Sequence, residues 1–297
     1  MKYEVLGATS LRISKIGFGC MSLPTQDASI QIISKAIALG ITFFDTADLY
    51  DKGENERLLG KAIKEKRKDL IIATKVGNQW KKDGNGWDWN PSKEHIIAGV
   101  EASLRRLGTD YIDLYQLHGG TMQDPFNETI EAFEWLKQQG KIRYYGLSSI
   151  RPNVIKEWIN RSNMASVMLQ YSVLDRRPEV SVLHLLQEKN IGVLARGSLA
   201  QGLLINKEPK SYLNFDASTV KDAATAVSAV STLERTPTQT ALQFVLQQPA
   251  ITAAVVGIRT MEQLVEIVGT MSAPPLEINE IEKIKKAVPA HIYEENR

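Results

Sequence analysis

This sequence predicts an α/β chain folded as one parallel (β/α)8 barrel, the TIM barrel, and three observations carry that expectation. Short apolar runs alternate with longer helical patterns eight times along the chain. Strand-helix alternation forces parallel pairing through crossover helices, and eight such units close most naturally on themselves. The 297 residues suit one barrel of this kind, which commonly takes about 250. No Pro/Gly/Ser-rich linker divides the chain, so we expect a single domain over 1–297. A doubly wound open sheet is the runner-up architecture.

The elements follow in order. "LGATSLRIS" reads as an N-terminal β-hairpin. Barrel strands are expected where short apolar runs stand: Ile16–Cys20, Thr42–Asp45, Leu70–Lys75, Ile112–Gln116, Tyr144–Leu147, Ser166–Tyr171, Gly192–Ala195 and Ala253–Val256. Helical patterns fill the intervals at Ser29–Leu39, Glu54–Lys64, Lys93–Leu107, Asn127–Gln139, Asn153–Arg161, Val180–Lys189 and Thr238–Gln248. Met261–Val268 follows the last strand, and Ile278–Ala287 adds a C-terminal extra helix. Two connections are long, 76–92 after the third strand and 197 to about 236 after the seventh. Long loops at this end of a compact barrel are usually functional. Trp80, Trp87 and Trp89 in the first of them suit an apolar pocket wall, with at least one packing the loop onto the barrel.

Composition narrows the function classes. The chain is 43% apolar and 24% charged, with a net charge of +2, too small to suggest a nucleic-acid partner. Cys20 is the single cysteine, so no internal disulfide exists. The histidines, at 95, 118, 184 and 291, lack zinc-ligand spacing, and we expect no metal. No apolar h-region or run of membrane-spanning length occurs, which makes the cytoplasm the default location and no membrane partner expected.

Active sites of such barrels lie at the C-terminal strand ends. There the sequence places Asp45, Lys75 and His118 on the second, third and fourth strands, and Tyr50 in the loop after Asp45. Buried charges must pair, and Asp45 and Lys75 stand on adjacent strands. A phenol is a weak acid at neutral pH, and a neighbouring ammonium stabilises its phenolate. Together these groups could protonate a carbonyl oxygen as hydride reaches its carbon. Singly, each has a structural reading: Asp45 as a turn residue, Tyr50 as packing, His118 as a core histidine. Their convergence at one barrel end favours the joint reading.

At these residues the chain resembles the aldo-keto reductases, through "FFDTADLY", "NERLLGKAI", "IIATKV", "DYIDLYQLH", "KIRYYGLSS" and "GVLARGSLAQGLL", across nearly its whole length. The resemblance puts the family's catalytic tetrad on Asp45, Tyr50, Lys75 and His118. It implies Tyr50 as general acid, Lys75 and Asp45 tuning it, and His118 orienting the carbonyl. It also implies NADPH as cofactor, bound without a Rossmann domain. "GFGCMS" at 17–22 lacks the third glycine of a dinucleotide fingerprint, in agreement. The cofactor positions implied are Ser148 and Ser149 for the carboxamide, with Gln170 two residues beyond Met168, and Arg196 where an aromatic often stacks. Gly197, Ser198, Leu199 and Gln201 fall in the pyrophosphate loop, and Gly257, Arg259, Gln263 and Glu266 in the adenosine region. Arg259 precedes a helix start, where anions are favoured, and its fork suits a 2′-phosphate.

The expected function is NADPH-dependent reduction of a small aldehyde or ketone, with no protein partner evident. The alternative is a weakly catalytic or non-catalytic NADPH-binding regulatory or sensor subunit, since such relatives can keep the whole tetrad. A metal hydrolase would need more ligands than Asp45 and one histidine supply.

Overall fold

The structure is a computed structural model, and it describes residues 1–289 and 291–296. A hairpin, β1 (Tyr3–Val5) with β2 (Arg12–Ser14), opens the chain. Two barrel strands follow, β3 (Ile16–Gly19) and β4 (Phe43–Asp45), then β5 (Ile71–Val76). A second hairpin, β6 (Asn78–Trp80) with β7 (Trp87–Trp89), precedes β8 (Ile112–Leu117) and β9 (Ile142–Ser148). The last three strands are β10 (Ser166–Gln170), β11 (Gly192–Arg196) and β12 (Ile251–Gly257). Among the described residues the eight strands β3, β4, β5, β8, β9, β10, β11 and β12 form a closed parallel barrel in that order, β12 pairing back onto β3.

Helices cover the outside: α1 (Ala28–Ala38), α2 (Glu54–Ile63), α3 (Lys93–Leu107), α4 (Phe126–Gln138) and α5 (Pro152–Arg161). After β10 come α6 (Arg177–Ser181) and α7 (Leu183–Glu188). Then follow α8 (Ala217–Ala229), α9 (Pro237–Leu246), α10 (Met261–Gly269) and α11 (Ile278–Ala287). No helix among the described residues is long and apolar enough to cross a membrane.

Side chains alternate along a strand, and this sorts the barrel. Phe43, Ala73, Leu114, Met168, Leu194 and Ala253 point inward and form an apolar interior. Leu6, Leu11 and Ile13 of the N-terminal hairpin join that cluster, all with no exposure, so the hairpin floors one end of the barrel. Fully burying a side chain of this size contributes about 1.5–3 kcal/mol. The inward register continues two residues on to Asp45, Lys75, Gln116, Gln170 and Arg196. The inner layer therefore turns polar at the end opposite the hairpin.

Three expectations about elements are corrected. The single helix over Val180–Lys189 is two short ones, because Val182 takes φ −137° and ends the first. The stretch from 197 to about 236 is not one loop, since it contains α8. That helix is rich in small residues, which weakens its apolar period, but Asp216 caps it by accepting from Thr219 N at 2.8 Å, and Val220, Ala223 and Val227 bury one face. The 76–92 loop folds back as the β6–β7 ribbon, with Trp80 opposite Trp87.

Candidate active site

The polar end of the barrel is organised around Lys75. Its side chain is 1% exposed, so an ammonium there must have its three protons received. They are: Nζ donates to Asp45 Oδ2 at 2.7 Å, to the Thr46 carbonyl at 2.7 Å and to the Tyr50 hydroxyl at 3.2 Å. Burial alone would lower the pKa of Lys75, but the charge and hydrogen bond of Asp45, with those of Tyr50, outweigh it and raise it. Lys75 is thus a cation, neutralised by Asp45. Gln116, unremarked in the sequence, donates to the other oxygen, Asp45 Oδ1, at 3.4 Å.

Because Tyr50 Oη accepts from Lys75, its own proton is free to be donated elsewhere. Burial raises the Tyr50 pKa, and Lys75 only partly opposes this. The ammonium acts in the direction the sequence suggested, toward the phenolate. Burial is the larger influence, and the phenol stays protonated at neutral pH. His118 stands edge-on to Tyr50, with ring centroids 5.7 Å apart and planes at 81°. Burial, reinforced by Lys75 and Arg196, pushes its pKa down to about 3, so the imidazole is neutral. Its Nδ1 is buried and has no hydrogen-bond partner among the described residues.

Tyr50 opens a turn of unusual backbone. Asp51 and Lys52 have φ of +49° and +54°, and Gly53 follows at +89°. Consecutive left-handed non-glycine residues cost on the order of 1–3 kcal/mol each and survive only where their surroundings hold them. The hold comes from beneath. A Cβ on Gly53 would lie 2.7 Å from Arg106 Cδ, so only glycine fits over that side chain. Arg106 Nε donates to Glu56 Oε2 at 2.6 Å, and Glu56, with no exposure, accepts from Thr74 Oγ1 at 2.6 Å on its other oxygen. This buried link from α3 through α2 to β5 escaped sequence reading, because a glutamate and an arginine fifty residues apart give no local signal.

Tyr50 also borders a cavity of about 370 Å3, with Met21, Leu49, Asp51, Lys52, Trp80 and Trp87. Trp89 packs instead: its indole Nε1 donates to Asp124 at 2.8 Å.

The remaining predicted positions lie around the ends of β9 to β12. Ser148 and Ser149 are buried, at 9% and 7% exposure. The Gln170 carboxamide is engaged at both ends, donating to Tyr212 Oη at 3.1 Å and accepting from Arg196 Nη1 at 3.2 Å. Both ends of the amide are therefore occupied by neighbouring side chains. Tyr212 was not anticipated; it reaches the site from the segment between β11 and α8. Gly197 has φ +70°, and Ser198 Oγ is buried without a partner among the described residues. Ala200 and Gln201 form a second left-handed pair, at +46° and +60°. A Cβ on Gly257 would stand 2.4 Å from Ser22 Oγ, so a larger residue here would require the Ser22 hydroxyl to turn away.

Arg259 is exposed, makes no ion pair among the described residues and stands just before α10, whose N-cap is Thr260. Gln263 Oε1 accepts from Arg259 N at 2.9 Å, which occupies one end of its amide in the helix start. Glu266 accepts from Thr236 Oγ1 at 2.9 Å and thereby ties α10 to the cap of α9. Among the described residues no cluster of three or more His, Cys, Asp or Glu could hold a metal ion.

A closed parallel barrel with a Lys-Asp-Tyr-His group at its polar end, its lysine and aspartate buried, has the form of a barrel oxidoreductase. The family model described as Aldo/keto reductase family matches residues 15–289, and this chain belongs to that family of oxidoreductases. The oxidoreductase YqkF of Bacillus subtilis, itself described as uncharacterized, is 46% identical over the whole of both chains. The holo form of aldo-keto reductase AKR11C1 from Bacillus halodurans superposes with a TM-score of 0.93 at 46% identity, covering 100% of this chain and 99% of that one. An aldo-keto reductase named yakc [NADP(+)], from Schizosaccharomyces pombe, is 31% identical over 69% of this chain and 64% of its own length.

Proposed function

We propose that this chain, as one barrel domain over 1–297 with positions 290 and 297 outside the described residues, reduces aldehydes or ketones to alcohols with NADPH. The observation that carries this is the saturated Lys75 ammonium, which gives one of its three hydrogen bonds to Tyr50. When bound, the dinucleotide supplies the hydride. Tyr50 donates its proton to the carbonyl oxygen. Lys75 stabilises the phenolate left behind, and Asp45 holds Lys75 charged and in place. Neutral His118 offers a ring nitrogen to the carbonyl oxygen and helps align it.

For the cofactor, the unpartnered Ser198 Oγ and the cations Arg196 and Arg259, neither in an ion pair among the described residues, fit a phosphorylated dinucleotide. Ser148 and Ser149 would meet the carboxamide. Gly197, Leu199 and Gln201 would present backbone at the pyrophosphate. Arg259, with Gln263 a weaker contributor, would meet the 2′-phosphate at the α10 N-terminus. Gln170 and Glu266 act at one remove, by positioning Arg196 and the start of α9. Gly257 would bring bare backbone, next to Ser22, to the adenosine end. The NADP(+) in the name of the Schizosaccharomyces pombe relative is consistent with this choice.

The direct test is NADPH consumption with a reactive aldehyde such as para-nitrobenzaldehyde. Stoichiometric NADPH binding without turnover would sink the enzyme reading and favour a cofactor-binding regulatory subunit. For the cofactor, Arg259→Ala is expected to weaken NADPH about ten- to hundredfold, from roughly 1.5–3 kcal/mol for a charged hydrogen bond. NADH should be nearly unchanged. Titration of each cofactor by tryptophan fluorescence checks this, and equal weakening of both would place Arg259 on the shared part of the molecule or on the fold.

A further inference from the structure

The left-handed turn after Tyr50 has no part in the proton transfer above. Strain of this kind is a reason to look for use. Its effect is to carry Lys52 out over the cavity, where Nζ stands 5.2 Å from the centroid of the Trp80 ring. That contact is the one interaction of the Lys52 ammonium among the described residues. The cavity is otherwise apolar at Met21, Leu49, Trp80 and Trp87, with Tyr50 at its inner side and Asp51 as its one carboxylate. A cation resting on an aromatic face, in a cavity that the proton donor Tyr50 also lines, can serve to recognise an anion.

We propose that this wall selects carbonyl substrates bearing a carboxylate at the end remote from the carbonyl, a reading that rests on the carbonyl-reductase function above. The carbonyl oxygen meets Tyr50, an apolar spacer lies against Leu49 and the indoles, and the carboxylate pairs with Lys52. Asp51 opposes this attraction through its own charge, which sets the sign of a second test.

The experiment compares kcat/KM for para-carboxybenzaldehyde and for its methyl ester, at saturating NADPH and low salt. Wild type, Lys52→Met, Lys52→Arg and Asp51→Asn are measured. The acid-to-ester ratio is expected to fall about fivefold in Lys52→Met, the scale of a solvent-exposed ion pair, and mainly through KM. Lys52→Arg should keep the ratio, and Asp51→Asn should raise it. In wild type the ratio should drop as salt is added, since exposed charges are screened. A ratio unchanged by Lys52→Met on an active enzyme overturns the assignment and leaves the reductase reading standing. If wild type reduces neither aldehyde, the reductase reading fails and this proposal fails with it.

Discussion

Tyr50→Phe is expected to lower kcat for carbonyl reduction by about 10²–10⁴-fold, the usual contribution of general acid catalysis, while NADPH still binds. The reason is specific to this geometry. The Tyr50 hydroxyl receives a hydrogen bond from Lys75, so its proton is the one directed away from the buried pair. Phenylalanine keeps the ring against His118 and removes only the acid. Lys75 then loses its third acceptor but keeps Asp45 and the Thr46 carbonyl, so the protein should fold. Steady-state kinetics beside a cofactor titration is the measurement. Near wild-type turnover would remove Tyr50 from the role of acid.

Lys75→Met should cripple turnover to a similar degree, and it should also destabilise. Removing one partner of a buried pair costs about 3–5 kcal/mol, because the other charge is left uncompensated. Here that charge is Asp45, 4% exposed, with Gln116 as its remaining side-chain partner among the described residues. Burial already raises the Asp45 pKa in the wild type, and Lys75 is the main opposing influence. In the variant that opposition is gone, so the folded state binds the Asp45 proton more tightly than the unfolded chain does. Stability is then fully present below the ordinary carboxylate pKa and is lost as pH rises through the raised value. Lys75→Met should therefore look worst near pH 8 and recover toward pH 4. Adding Asp45→Asn should restore much of the stability and none of the activity. A stable, fully active Lys75→Met protein would overturn the proposed coupling between Lys75 and Tyr50.

Much of this site was legible beforehand because a parallel barrel sets positions by period. Strand ends collect at one rim, and alternate residues share a face, so Asp45, Lys75 and His118 could be placed together from their spacing after apolar runs. The α8 helix was harder to see, since its buried face is built from two valines and an alanine. Gln263 and Glu266 could be placed near the last helix from sequence. Their hydrogen bonds to the Arg259 amide and to Thr236 depend on how the helix ends meet, and no local pattern encodes that.

The sequence by itself determined the order of the eight barrel strands, their inward faces, the identity of the four polar groups at the rim and the resemblance that they carry. Tertiary structure alone decided how those groups share hydrogen bonds and how deeply each is buried. It saturated Lys75 with three acceptors, let burial outweigh the ammonium at Tyr50, turned Gln170 onto Arg196 and Tyr212, and held Asp51 and Lys52 left-handed over the Glu56–Arg106 pair. The physical reason is that periodicity is a local property of the chain, whereas desolvation and the filling of hydrogen-bond sites depend on neighbours brought together from distant strands and helices.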